Sequence, residues 1–177
     1  LALKKRGVRY VELRALDLLC FDPAGIALDE LRFLETFILF CLLTDSPPLS
    51  TDDKAECNNN SLSVACCART PGFTLFQSGR TVSLRQWADA ILDQLEPIAG
   101  LLDQDRPSQP YLASIKRHRP AVSDPEQSLS ARVLQEMRAH GETFAEFAMR
   151  LSREHAAHWQ HQPLTAQRTQ AFVQEAE

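Results

Sequence analysis

The chain has 177 residues, 44% of them hydrophobic and 24% charged, with a formal net charge of −4. That length fits one domain able to bury most of its unfolded surface, and the composition excludes a disordered or fibrous chain. A mildly acidic balance lacks the basic footprint of a general nucleic-acid binder, and the most apolar run, Phe37 to Leu43, falls far short of the ~20 residues of a membrane span.

In chain order, Leu1 to Arg6 reads as a helix end, with Lys4, Lys5 and Arg6 complementing the helix dipole and Gly7 as its stop. The chain opens on Leu1 rather than Met, inside that helix end, so a piece of a longer protein is expected. Val8 to Leu16 alternates apolar and polar residues and predicts a strand. Asp22 to Gly25, DPAG, is turn chemistry. A helix is expected from about Leu28 to Leu43, apolar nearly all round in its second half and therefore expected to be buried there. Ser50 to Asp53 can cap a helix through NNNSLSVACCAR, and Gly72 to Phe76 predicts a short extended piece.

The strongest helical signal begins at Thr81. Ser83 and Gln86 have capping-box spacing, and Leu84, Trp87, Ala88, Ile91, Leu92 and Leu95 recur at helical intervals, with a kink expected at Pro97. Asp103 to Gln127, rich in Pro and polar residues, reads as a long excursion with one helical turn around Tyr111 to Lys116. A helix ended by Gly141 comes next, then one opened by a Thr143–Glu146 capping box and stopped by Pro163, then a frayed C-terminal helix. The fold class expected is α+β, mostly helical, with one strand. A strand is not stable alone, so its partners are expected in a part of the protein beyond these residues or in another chain.

The five cysteines, Cys20, Cys41, Cys57, Cys66 and Cys67, are odd in number and contain no CxxC. They form neither a disulfide framework nor a zinc spacing, and free, mostly interior thiols in a reducing cytoplasm are expected. No secretory leader pattern opens the sequence. His155, His158 and His161 lack the HExxH order and read as a solvated helix end.

Within the strand, period two sets Val11, Leu13 and Ala15 on one face and Tyr10, Glu12 and Arg14 on the other. Two readings stand. One is a wet sheet face carrying an ion pair. The other is a concave face that binds metal and phosphate, because a carboxylate is a hard oxygen ligand and a guanidinium forms bidentate bonds to phosphate oxygens.

Tyr10 to Asp17, YVELRALD, followed by Phe21, Pro23 and Gly25 and by Arg32-Phe33-Leu34, resembles bacterial glutamate–cysteine ligases, with Asn60, Val64, Arg69, Pro71 and Gly72 on a further motif of that family. The sequence departs from the family pattern at Leu19-Cys20, in place of Asn-Pro, and at Ala68, in place of Gly. The resemblance runs over nearly the whole chain and implies that residues 1–177 are the C-terminal portion of one such catalytic domain, with a glutamine-synthetase-like fold. It implies Mg²⁺ (or Mn²⁺) as metal, ATP as co-substrate, glutamate and cysteine as substrates, Glu12 as a metal ligand and Arg14 as the catalytic contact to the phosphoryl group of ATP. Neither a nucleic acid nor a membrane is an expected partner. The remaining partner implied is the N-terminal part of the same protein, without which the chain is expected to be inactive. A helical interaction module without catalysis, or a related ligase with another amine acceptor, are the competing expectations.

Overall fold

The computed structural model describes residues 5, 7, 9–13, 16–162 and 164–176. Helix α1 spans Leu28–Leu43 and α2 Thr51–Cys67; strands β1, Thr74–Gln77, and β2, Arg80–Ser83, form a hairpin. Then come α3, Leu84–Leu102, α4, Pro110–Ser123, a 3₁₀ turn at Pro125–Gln127, α5, Leu129–His140, α6, Phe144–Gln160, and α7, Ala166–Ala176.

Most boundaries follow local chemistry. Ser50 and Asp53 form a reciprocal capping box at α2, and Thr143 and Glu146 form another at α6. The Ser83 hydroxyl accepts from the Gln86 amide at α3, and Ser128 does the same for Ala131 at α5. Gly141 ends α5 at φ 63°, the left-handed value a side chain resists. Gly7 likewise has φ 70° after the helical Lys5, while residues 1–4 and 6 of the expected helix end lie outside the described residues.

The main core lies where α1, α3 and α4 meet. Leu92, Leu95 and Ala99 on one stripe of α3 and Ile115 on α4 are buried, with Phe33, Phe37 and Phe40 of α1 packed against them. Burying a Leu of this kind contributes about 1.5–3 kcal/mol. Ala131 of α5 and Phe147 and Leu151 of α6 are buried as well.

Helix α3 continues through Pro97 to Leu102. Three expectations are corrected. First, Asp103–Gln127 contains the 14-residue helix α4 instead of a single turn. Its N-cap, Gln109, contributes no side-chain bond. The cap comes from farther back: the buried Asp103 carboxylate accepts from the Tyr111 amide at 3.2 Å and the Leu112 amide at 2.8 Å. Second, the second half of α1 is buried on one side only: Thr36 is buried and Phe37 and Phe40 pack on the core, but Ile38, Leu42 and Leu43 are 40, 77 and 72% exposed. Apolarity of a helix does not itself supply the surface that covers it. Third, the thiols are not mostly interior: all but Cys20 are exposed, and all five are free.

Where the sequence predicts only an extended piece, the structure has a hairpin. Its two-residue loop, Ser78-Gly79, has positive φ at both positions, 52° and 73°, as a twist-matched tight turn requires. Helix α2 holds it. Both Glu56 carboxylate oxygens accept from the Ser78 and Gly79 amides at 2.8 Å, while the Asn60 amide accepts from the Phe76 N–H at 3.0 Å and donates to its carbonyl at 2.6 Å.

Candidate active site

Among the described residues, the expected strand is not a strand. Residues 9–13 and 16 belong to no helix and no ladder, and Arg14 and Ala15 lie outside the described residues. Alternation sets which side chains share a face, but a ladder needs a neighbouring backbone, and the described residues supply none here. Glu12 is exposed, as are Tyr10, Val11 and Leu13 at 83, 67 and 45%. Described side chains on both faces of the alternating segment are therefore exposed, the apolar Val11 and Leu13 as well as the polar Tyr10 and Glu12.

The Asp17–Gly25 turn, next in the chain, is well anchored. It closes through Leu19 N–H to the Gly25 carbonyl at 2.9 Å and Asp22 N–H to the Leu19 carbonyl at 3.0 Å, with the Asp22 carboxylate accepting from the Ala24 amide at 2.8 Å. Gly25 has φ 75°, and a Cβ there would stand 2.5 Å from Leu18 Cδ1. The turn rests on α5 and α6. Phe21 meets Phe147 edge-on at 6.1 Å, the Arg132 guanidinium lies 4.6 Å from the Phe21 ring centre, and the Trp159 indole N–H donates to the Pro23 carbonyl at 3.3 Å. Between turn and helices lies a largely apolar cavity of about 830 Å³, with Asp17 and Asp22 on its rim. Burial raises the Cys20 thiol above its ordinary pKa, so Cys20 is a poor nucleophile.

The other motif residues fall around the hairpin. Asn60 grips Phe76, and Arg69 reaches the Glu126 carboxylate at 2.5 Å. Gly72 has φ 71°. Ala68, where the sequence departs from the expected Gly, has φ −56° and ψ −26°, a helical conformation in which alanine is unstrained. These residues shape a support around the hairpin.

Among the described residues no cluster of three or more His, Cys, Asp or Glu could hold a metal, so His155, His158 and His161 make no such site. Glu12 fits as one hard-oxygen donor and no more. No described helix is long and apolar enough to cross a membrane. Sequence reasoning missed Arg132, Phe147 and Trp159 as supports of the turn. Trp159 lies 136 positions from Pro23, and no local pattern announces such a contact.

Residues 1–64 match the family model described as glutamate-cysteine ligase. The chain is 42% identical over 171 residues to the glutamate–cysteine ligase of Pseudomonas entomophila strain L48, covering 97% of this chain and 32% of that protein. It is 43% identical over 175 residues to that of Azotobacter vinelandii strain DJ, covering 99% and 33%. The solved glutamate–cysteine ligase of Francisella tularensis, in complex with AMP, superposes with a TM-score of 0.78 at 29% identity, over 89% of this chain and 30% of that one. The chain thus spans about a third of the length of the relatives it matches.

Proposed function

The chain belongs to the glutamate–cysteine ligase family over the third of its relatives' length that it spans, and on that premise we propose that it forms one wall of an active site making γ-glutamylcysteine. The reaction joins the side-chain carboxylate of glutamate to the amine of cysteine. The carboxylate attacks the γ-phosphorus of ATP and releases ADP. The cysteine amine then attacks the resulting acyl phosphate, releases phosphate and loses a proton as the amide forms.

On this reading Glu12 holds one position of a divalent cation, and Arg14 holds the oxygens of the transferring phosphoryl group. A bound cation would supply charge neutralisation at the phosphates. The chain's own part is positioning: the Asp17–Gly25 turn, clamped between Arg132 and Phe147, fixes where the Glu12 segment leaves the helical body. The further carboxylates, and the surfaces that cover Val11 and Leu13, come from the remainder of a family-length protein. The 177-residue chain alone is therefore inactive.

The observation that carries the reading is the correspondence with full-length ligases along 97% of this sequence. The test joins this chain to the part of the Pseudomonas entomophila ligase that it does not match. The hybrid should release phosphate from ATP in a glutamate- and cysteine-dependent reaction, while the 177-residue chain should not. Turnover by the chain alone, or a folded hybrid without turnover, would overturn it.

A further inference from the structure

A second cavity, of about 790 Å³, lies between the Arg69–Phe73 loop and helices α1, α3 and α4, and shares Ser130 with the first. Its lining divides by chemistry. Phe33, Phe37, Ile91 and Val122 make an apolar wall. The same lining holds two arginines, Arg69 and Arg85.

Two helix beginnings converge on the same space. Ser83, Leu84 and Arg85 open α3, and Ser128 and Ser130 open α5; all of them line the cavity. The first amides of any helix have no intrahelical acceptor and carry partial positive charge. The Leu84 amide is used by the Phe73 carbonyl and the Gln86 and Ala131 amides by the capping serines. The amides of Arg85, Leu129 and Ser130 remain in the first turns.

The two arginines are only partly neutralised. Arg69 spends one terminal nitrogen on Glu126, at 2.5 Å, while its Nε is buried and has no hydrogen-bond partner. A buried donor without an acceptor costs free energy unless something arrives to accept from it. Arg85 approaches Asp89 no closer than 3.9 Å. His118, against Phe33 at a ring-centre distance of 4.3 Å, also lines the cavity. Burial lowers its pKa from the ordinary value, so at neutral pH it offers a neutral ring.

We propose that this cavity binds a small organic anion, with a phosphate or carboxylate head held by Arg69, Arg85 and the amides that open α3 and α5, and an apolar or aromatic body against Phe33, Phe37 and Val122. The cavity beneath the Asp17–Gly25 turn, of similar size, has no Lys or Arg among its lining residues and two carboxylates instead, so it rejects the same ligand. The proposal is independent of the ligase reading, since it involves neither Glu12 nor Arg14.

The test uses the 177-residue chain labelled with ¹⁵N and phenyl phosphate as probe. Inorganic phosphate and phenol serve as half-ligands. Phenyl phosphate should bind about tenfold or more tighter than either half, because head and body are both engaged. Its shifts should centre on the amides of Arg85 and of the Arg69–Phe73 loop, which line this cavity and not the first. Arg85→Gln should weaken binding about tenfold or more, as expected for one charge-assisted contact, and Arg153→Gln, a charge loss elsewhere on the surface, should leave it unchanged. Equal affinity for phenol and phenyl phosphate would overturn the proposal. So would shifts centred on the Asp17–Gly25 turn, or an Arg85→Gln variant that binds like the parent. The wild-type shift map decides the matter even if a variant fails to fold.

Discussion

Removing the Asp103 carboxylate tests how α4 exists at all. Asp103 is 6% exposed and accepts two backbone amides, Tyr111 at 3.2 Å and Leu112 at 2.8 Å, in place of the cap that Gln109 does not provide. A hydrogen bond to a charged acceptor contributes about 1.5–3 kcal/mol, and loss of a helix cap alone costs about 0.5–2. Water reaching the freed amides returns part of this, so Asp103→Ala should cost about 3 kcal/mol. At about 2–4 °C per kcal/mol for a chain of this size, the melting temperature should fall by roughly 6–12 °C. Asp103→Asn keeps one acceptor and turns an NH₂ donor toward the other amide, so it should retain at least half of that loss. Urea unfolding followed by far-UV circular dichroism measures both. An Asp103→Ala variant within about 0.5 kcal/mol of the parent, the range of an ordinary surface substitution, would refute the idea that this carboxylate holds the start of α4.

In the hybrid ligase, Glu12→Gln removes a ligand charge but keeps the shape, so activity should fall at limiting Mg²⁺ and partly recover at high Mg²⁺; steady-state rates titrated with Mg²⁺ show it, and an unchanged Mg²⁺ dependence counts against Glu12 as a ligand. Arg14→Lys keeps charge but loses the planar fork, and kcat at saturating ATP and Mg²⁺ should drop by about 10²-fold without rescue by Mg²⁺; a parental kcat would return Arg14 to the role of a surface cation. The α6 capping box gives a pH signature. Hydrogen bonds from the Thr143 amide and hydroxyl hold the Glu146 carboxyl below its ordinary pKa. Its stabilising effect is thus fully present above the unfolded-chain pKa and is lost as pH falls through the depressed value. The urea midpoint of the parent should exceed that of Glu146→Gln at pH 7, and the gap should close on acidification; a gap independent of pH would sink this account.

Where capping and stop signals are local, the sequence announced its helices. Gly141 ended α5, and Ser50 to Asp53 and the Thr143–Glu146 box opened α2 and α6. It hid α4 because the cap, Asp103, stands outside the N-cap position where a local pattern would seek it. The hairpin was half visible, as the extended piece Gly72 to Phe76, but its second strand was not, and Glu56 and Asn60, which hold the hairpin, belong to another helix. Phe37 to Leu43 was legible as apolar, yet burial depends on an opposing surface, and none of the described elements covers Leu42 or Leu43. The family motif that holds Glu12 and Arg14 was legible. Its geometry was not, because a lone alternating segment cannot set its own pairing.

The grip of Asn60 on Phe76 has a consequence for how copies of this protein meet one another. In a hairpin closed by the Gln77–Arg80 pair, Phe76 belongs to the alternate set whose backbone N–H and carbonyl point away from the partner strand. Those two groups are what an incoming strand would need to extend the sheet, and a two-stranded sheet has no interior strand to spare. One planar amide from α2 occupies both. The outer margin of β1 is thereby closed to strand addition at its middle by a side chain of the same molecule, so a strand that lengthened this sheet would have to come in beside β2.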